Sequence, residues 1–216
     1  IEQTLETIRA EDPDIVFLAT PNNPTGNSFS EEKVLEILEA SGGAVVVDEA
    51  YCDFSKKSYV PHIDKYENLL VLRTMSKIGF AGARLGIFFA RPQVADEVNK
   101  ARLPYNINSF SQDVLSFALE NPGVIERKIG LILSEREKLR GALERIEEIH
   151  VYPTDANFFL VQVPDADFLF EELVRNDILV RRFSGEGRLA DCLRITVGAR
   201  EENDRLIEAL VGIFSS

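Results

Sequence analysis

Continuous apolar runs recur in the first half of the chain, at Ile15–Ala19, 44–47, 69–72 and 85–90, each bounded by turn-forming residues. Runs of this length without alternation suit strands covered on both faces, as in a parallel sheet. Between the first two, Glu31–Ala40 reads as a helix. Ser30 stands as its N-cap, Glu31 and Glu32 complement its positive end, and Gly42 supplies the stop. Strand, helix, strand at this spacing gives an α/β fold. The pattern changes after Pro122. From 124 to 149, apolar residues at Ile125, Ile129, Ile132, Leu139, Leu143 and Ile146 form a helical stripe with charge on the other faces. Beyond it the expectation is strand 157–163, helix Ala166–Arg175, strand 178–182, strand 192–197 and helix 201–214, with Leu206, Leu210 and Phe214 on one face. This divides the chain into a large α/β portion (1–122), a long connecting helix (123–149) and a smaller α+β unit (150–216). No internal repeat is present, and 184–187 reads as a mobile loop.

Composition narrows the partners. The 216 residues are 45% hydrophobic, enough for a buried core, and no apolar run approaches the length of a membrane span. The net charge of -12 is opposite to that of a nucleic-acid-coating surface, so any anion site is local and built from a few arginines, hydroxyls and backbone N–H groups. Cys52 and Cys192 form no CxxC and no signal peptide precedes them, which points to reduced thiols and a cytoplasmic setting. His62 and His150 have no metal-ligand spacing. The chain starts at Ile1 rather than Met and reads as the C-terminal portion of a longer protein.

Four segments carry the chemistry. Pro21-Asn22-Asn23-Pro24-Thr25-Gly26 follows a strand as a rigid turn, and turn chemistry explains most of it by itself. Asp48-Glu49-Ala50-Tyr51 closes the Val-rich strand, at the carboxyl edge where α/β sheets bind ligands, although an acid there can equally cap a helix. Arg73-Thr74-Met75-Ser76-Lys77 follows another apolar run and leads into Gly79, Gly82, Arg84 and Gly86; these glycines lack the GxGxxG spacing of a dinucleotide site. Last, Arg194 interrupts the apolar stretch Cys192–Val197 and needs a carboxylate or a ligand anion as partner.

Taken in order and approximate spacing, these segments resemble the fold-type-I pyridoxal-phosphate (PLP) enzymes, specifically the histidinol-phosphate aminotransferase branch of the aspartate aminotransferase superfamily. The resemblance covers essentially the whole chain. It implies part of the PLP-transferase large domain, a mostly parallel sheet with helices, followed by the smaller α+β domain. It implies transamination between histidinol phosphate and 2-oxoglutarate, or the reverse pair with glutamate as donor, in histidine biosynthesis. Lys77 resembles the Schiff-base lysine and proton carrier. Asp48 resembles the partner of the pyridinium nitrogen. Tyr51 and Asn23 resemble the groups that hydrogen-bond the cofactor's O3′. Ser76 and Arg84 resemble the phosphate contacts, with Thr74 beside them. Arg194 resembles the arginine that binds the substrate carboxylate. Arg181 has two readings, a contact to the substrate's own phosphate or a surface arginine at a strand end. Asn157 and Phe158 begin a strand near the family's site, with core packing the simpler role for Phe158. Tyr105 and Asn106 resemble a loop near the family's dimer interface.

The family's N-terminal arm, Gly-rich phosphate loop and stacking aromatic have no counterpart here, so the resemblance implies a homodimer at full length and an inactive or weakly binding piece at this length. Two other readings remain. One is a related PLP enzyme, an aromatic-amino-acid aminotransferase or a threonine-phosphate decarboxylase. The other is a non-catalytic module of the same fold.

Overall fold

A computed structural model describes residues 2–183 and 187–215. Most of the loop expected at 184–187 lies outside the described residues. The chain forms two compact units, Ile1–Asn22 with Ser28–Glu126, and Asn23–Asn27 with Arg127–Ser216.

The first unit holds α1 (Glu2–Glu11), β1 (Ile15–Ala19), α2 (Glu31–Ala40), β2 (Ala44–Asp48), the short α3 (Cys52–Ser55), β3 (Leu69–Thr74), β4 (Gly86–Phe89), α4 (Pro92–Lys100) and α5 (Ser109–Glu120). Its sheet runs β1-β2-β3-β4. The first three strands are parallel, with Ile15 opposite Ala44 and Val45 opposite Leu69. The fourth is antiparallel, with Thr74 opposite Gly86. That corrects the expectation of a parallel strand at 85–90. Two 3-10 turns, Met75–Ile78 and Ala81–Ala83, occupy the connection, so no crossover helix can carry the chain back to the other end of the sheet. β1 also departs from expectation. One face sends Leu18 into a core with Val34, Ile37, Leu38, Val45, Val47, Leu69 and Val71, while Ile15 and Phe17 on the other face are 54% and 69% exposed.

Helix α2 keeps its expected bounds but not its expected caps. Ser30 occupies the N-cap position without a side-chain capping bond. The stop is Ser41, whose Oγ donates to the Ile37 carbonyl at 2.7 Å, rather than Gly42. Gly43 has a steric reason to be glycine: a Cβ there would sit 2.2 Å from the Asp14 carbonyl oxygen, at the place where β2 begins beside β1.

The second unit contains most of α6 (Pro122–Leu143), then β5 (His150–Val151), β6 (Phe158–Gln162), α7 (Ala166–Arg175), β7 (Arg181–Arg182), β8 (Cys192–Thr196) and α8 (Arg200–Phe214). Its antiparallel sheet runs β5-β6-β8-β7. One face of the two central strands, Phe159, Val161, Leu193 and Ile195, joins Leu139 and Leu143 of α6, Leu169 and Leu173 of α7, and Leu206 and Leu210 of α8 in a single core. The long helix ends at Leu143, short of the expected 149, although Ile146 and Ile149 stay buried in the turns that follow. The strand expected at 178–182 shrinks to two residues. Asp165 caps α7 through Phe168 N–H at 2.8 Å.

The segment Asn23–Asn27 follows β1 in sequence yet belongs to this unit. Asp155 N–H donates to the Gly26 carbonyl at 2.8 Å. Gly26 has φ +77°, and a Cβ would lie 2.3 Å from Thr154 Oγ1, so the turn admits only glycine here without local movement.

Candidate functional site

In the first unit the carboxyl ends of two parallel strands lie side by side, Asp48 of β2 opposite Leu72 of β3. Asp48 closes a tight turn by accepting from Ala50 N–H at 2.9 Å. Tyr51 follows, 7% exposed, at the start of α3. From the neighbouring strand, Thr74 caps the 3-10 turn that carries Lys77. Its Oγ1 accepts from Ser76 N–H at 3.1 Å, lies 3.0 Å from Ser76 Oγ and donates to the Leu85 carbonyl at 3.1 Å. The turn aims Lys77 back over the first segment, and its Nζ lies 5.2 Å from the centroid of the Tyr51 ring. Arg84 ends the second 3-10 turn in the left-handed region at φ 53° and is exposed. Ser111 of α5 braces that turn, donating through Oγ to the Ala83 carbonyl at 2.6 Å. Among the described residues neither Lys77 nor Arg84 makes an ion pair.

Sequence reasoning missed what sits beneath these residues. Glu49 is 1% exposed, and its carboxylate accepts from Arg73 Nε at 2.8 Å and from Tyr59 N–H. Arg73 also donates through Nη2 to Ser58 Oγ at 2.5 Å and lies over the Phe89 ring. Burial opposes the charge on Arg73, but Cys52, Glu49 and Asp53 outweigh it and hold its pKa above the ordinary value. Burial, then the neighbouring Asp53, pushes the Cys52 thiol up to about 12. Burial likewise raises Asp53. The signal was available: an arginine at the end of an apolar run needs a partner, the argument applied above to Arg194.

Arg194 lies in the second unit, with Asn23 and Arg181. Its Nη1 donates to Asn23 Oδ1 at 2.5 Å, and its guanidinium carbon lies 5.2 Å from the Phe158 ring. Its Nε is buried without a hydrogen-bond partner. Among the described residues it meets no carboxylate. Arg181 stands directly opposite on β7, so two guanidiniums share one face of the sheet. Arg182, beside it, is spoken for by Asp167 at 3.0 Å and the Phe170 ring. Arg181 and Arg194 border a cleft of about 510 Å³ together with Phe170, Leu179 and Thr196. A different cavity of about 360 Å³, between Ile178, Ile195 and Leu206, borders none of the candidate catalytic, cofactor or substrate residues.

The remaining candidates divide plainly. Phe158 is buried under Arg194, and the Asn157 carbonyl accepts from Val197 N–H at 2.9 Å. Tyr105 and Asn106 are exposed between α4 and α5. His62 pairs with Glu31 at 2.9 Å, and His150 meets the edge of Tyr152. Among the described residues no group of three His, Cys, Asp or Glu side chains could hold a metal ion, and no helix is long and apolar enough to cross a membrane.

Comparison with known proteins adds the following. Residues 1–210 match the family described as aminotransferase class I and II. Histidinol-phosphate aminotransferase 2 of Nitrosococcus oceani is 46% identical over 209 residues, covering 95% of this chain and 58% of that protein. The crystal structure of the histidinol-phosphate aminotransferase from Clostridium acetobutylicum superposes with a TM-score of 0.90 at 27% identity, over 98% of this chain and 67% of that one. The enzyme from Sinorhizobium meliloti, solved in complex with pyridoxal-5′-phosphate, gives 0.87 at 25% identity, over 98% and 61%. The chain thus spans about 58% of the length of the curated relative from Nitrosococcus oceani.

Proposed function

The chain belongs to the class I and II aminotransferases, and from that premise we propose that it carries the lysine-bearing core of a PLP-dependent aminotransferase. Its substrates are histidinol phosphate and 2-oxoglutarate, with glutamate as product or, in reverse, as donor, in histidine biosynthesis. The observation that supports this most is Lys77 Nζ lying over the Tyr51 ring, on the strand end next to Asp48.

The donor set fits the cofactor. An amine, a carboxylate, a phenol, two hydroxyls and an arginine with no ion pair among the described residues stand on two neighbouring strand ends and the turns that follow them, a set that suits an aldehyde, a ring nitrogen, a ring oxygen and a phosphate. Bound there, PLP supplies a sink for the electrons left when a substrate Cα loses its proton. The protein's own groups do the rest. Asp48 holds a proton on the ring nitrogen. Tyr51 and Asn23 hydrogen-bond the ring oxygen. Thr74, Ser76 and Arg84 bind the phosphate, Arg84 as a planar fork. Lys77 Nζ would carry the proton from the substrate Cα to the cofactor's former aldehyde carbon, the shift that transamination requires.

Arg194 binds the carboxylate of glutamate or 2-oxoglutarate; its orphaned Nε supports this, because a buried donor without an acceptor is costly unless a ligand supplies one. Arg181, facing it across the sheet, adds the second guanidinium that a dianionic phosphate calls for. The first unit contributes to the PLP-binding large domain, α6 (Pro122–Leu143) is the connecting helix, and the second unit beyond it contributes to the small domain. The exposed apolar stretch of Leu103, Tyr105, Ile107 and Phe110 supports a homodimer, and the free thiols of Cys52 and Cys192 a cytoplasmic location.

The test is a panel of amino donors offered to the holoenzyme with 2-oxoglutarate. Glutamate forms from histidinol phosphate. Good turnover of tyrosine with none of histidinol phosphate, or release of carbon dioxide from threonine phosphate, defeats the substrate assignment.

A further inference from the structure

We propose that Glu49 and Arg73 are positioning residues. Their ion pair clamps the carboxyl ends of β2 and β3 and so sets the spacing between Asp48 and Tyr51 on one strand end and Lys77 on the next. The inference rests on the reading of Lys77 given above.

Glu49 is fixed at every polar atom. Its N–H donates to the Leu72 carbonyl at 2.8 Å, and its carbonyl accepts from Cys52 N–H at 3.0 Å. One carboxylate oxygen takes Arg73 Nε, the other Tyr59 N–H. The residue therefore ties together the end of β2, the end of β3 and the loop returning from α3. Arg73 is held on its far side by Ser58 and lies over Phe89 of β4.

Stability alone does not call for this arrangement. A buried ion pair is commonly no better for stability than apolar side chains of similar volume, because both charges are stripped of water. What the pair adds is geometric. A planar guanidinium held at Nε by the Glu49 carboxylate and at Nη2 by Ser58 fixes distance and orientation, whereas two apolar side chains could slide. The leverage is short. Asp48 precedes Glu49 and Tyr51 lies two residues beyond it. Thr74 follows Arg73 and holds the Ser76 amide, one residue from Lys77. Play between the strand ends would pass directly to the separation of Lys77 from Asp48.

The clamp is cut by Glu49→Gln with Arg73→Met. This leaves neither half of the pair buried alone and keeps an acceptor for Tyr59 N–H, but removes the favourable charge beside half-buried Asp53. In the cofactor-free protein, amide exchange should speed up about tenfold in peptides covering 48–51 and 74–79 and stay unchanged in α2. In the holoenzyme, kcat should fall at least about tenfold while KM for 2-oxoglutarate stays within about twofold, since a small misplacement near the chemistry acts on the transition state rather than on binding. The pH midpoint of the bound cofactor's visible band should move as well. Unchanged exchange in both peptides together with an unchanged midpoint overturns the proposal. If the double variant does not fold, Arg73→Lys, which keeps the charge and loses the fork, is held to the same outcomes. Lys77→Ala separates the two ideas: a visible band that ignores this substitution defeats the functional reading, while the exchange measurement, which needs no cofactor, still decides the clamp.

Discussion

Arg73 and Arg194 both stand in apolar strands, and their surroundings differ in one respect that separates the roles proposed for them. Arg73, in the first unit, has its carboxylate built in: Glu49 lies 2.8 Å away and is almost fully buried. Arg194, in the second, has an amide oxygen and a phenyl ring but no carboxylate among the described residues, and its Nε is left without an acceptor. An arginine whose counter-charge is part of the fold spends its hydrogen bonds on the fold. One whose counter-charge is missing keeps them for a ligand anion. On the roles proposed above, the same residue type serves geometry in one unit and recognition in the other.

That contrast can be broken by paired substitutions. Arg73→Met strands the Glu49 carboxylate and should lower stability by about 3–5 kcal/mol, toward the lower figure because the arginine is partly exposed; urea unfolding reads it. Arg194→Met strands no carboxylate. Its unfolding midpoint should stay close to that of the parent protein, while kcat/KM for glutamate drops by the equivalent of about 2–5 kcal/mol. Equal stability losses in both would dissolve the distinction.

A smaller effect sharpens the first half. Cys52 stays protonated in the fold to about pH 12 against an ordinary value of 9.0. Above 9 the unfolded chain therefore sheds a proton that the folded one keeps, so stability falls as pH rises from 9 toward 12. The slope from this group is at most about 1.4 kcal/mol per pH unit. Tyr59, raised from 10.0 to about 12 mainly by burial, adds a similar loss above 10. Cys52→Ala should flatten the decline between pH 9 and 10, read as urea midpoints across that range. An unaltered decline would remove Cys52 from the buried cluster's electrostatics.

Much of this fold can be read from the pattern alone, and the exceptions have physical causes. The uninterrupted apolar run of β1 and the capped amphipathic stretch of α7 reveal their own bounds. Helices α1 and α4 do not, since each offers only a few apolar positions, Leu5 and Ile8 in the first and Val94, Ala95 and Val98 in the second, too short a stripe to mark its bounds. The direction of β4 depends on the turns before it rather than on its hydrophobicity. For the candidate site, the order of four short segments was enough to single out Lys77, Asp48, Tyr51 and Arg194. The Glu49–Arg73 pair joins residues 24 apart across two strands, a relation with no period, so only its charge logic could have exposed it.

The central claim is that Lys77 is the amine that engages the cofactor. Borohydride reduction of the loaded enzyme, followed by digestion and peptide mass measurement, tests it directly. The account predicts the pyridoxyl-phosphate mass on the peptide containing Lys77 and on no other. That mass on a different lysine, or on none, would contradict it.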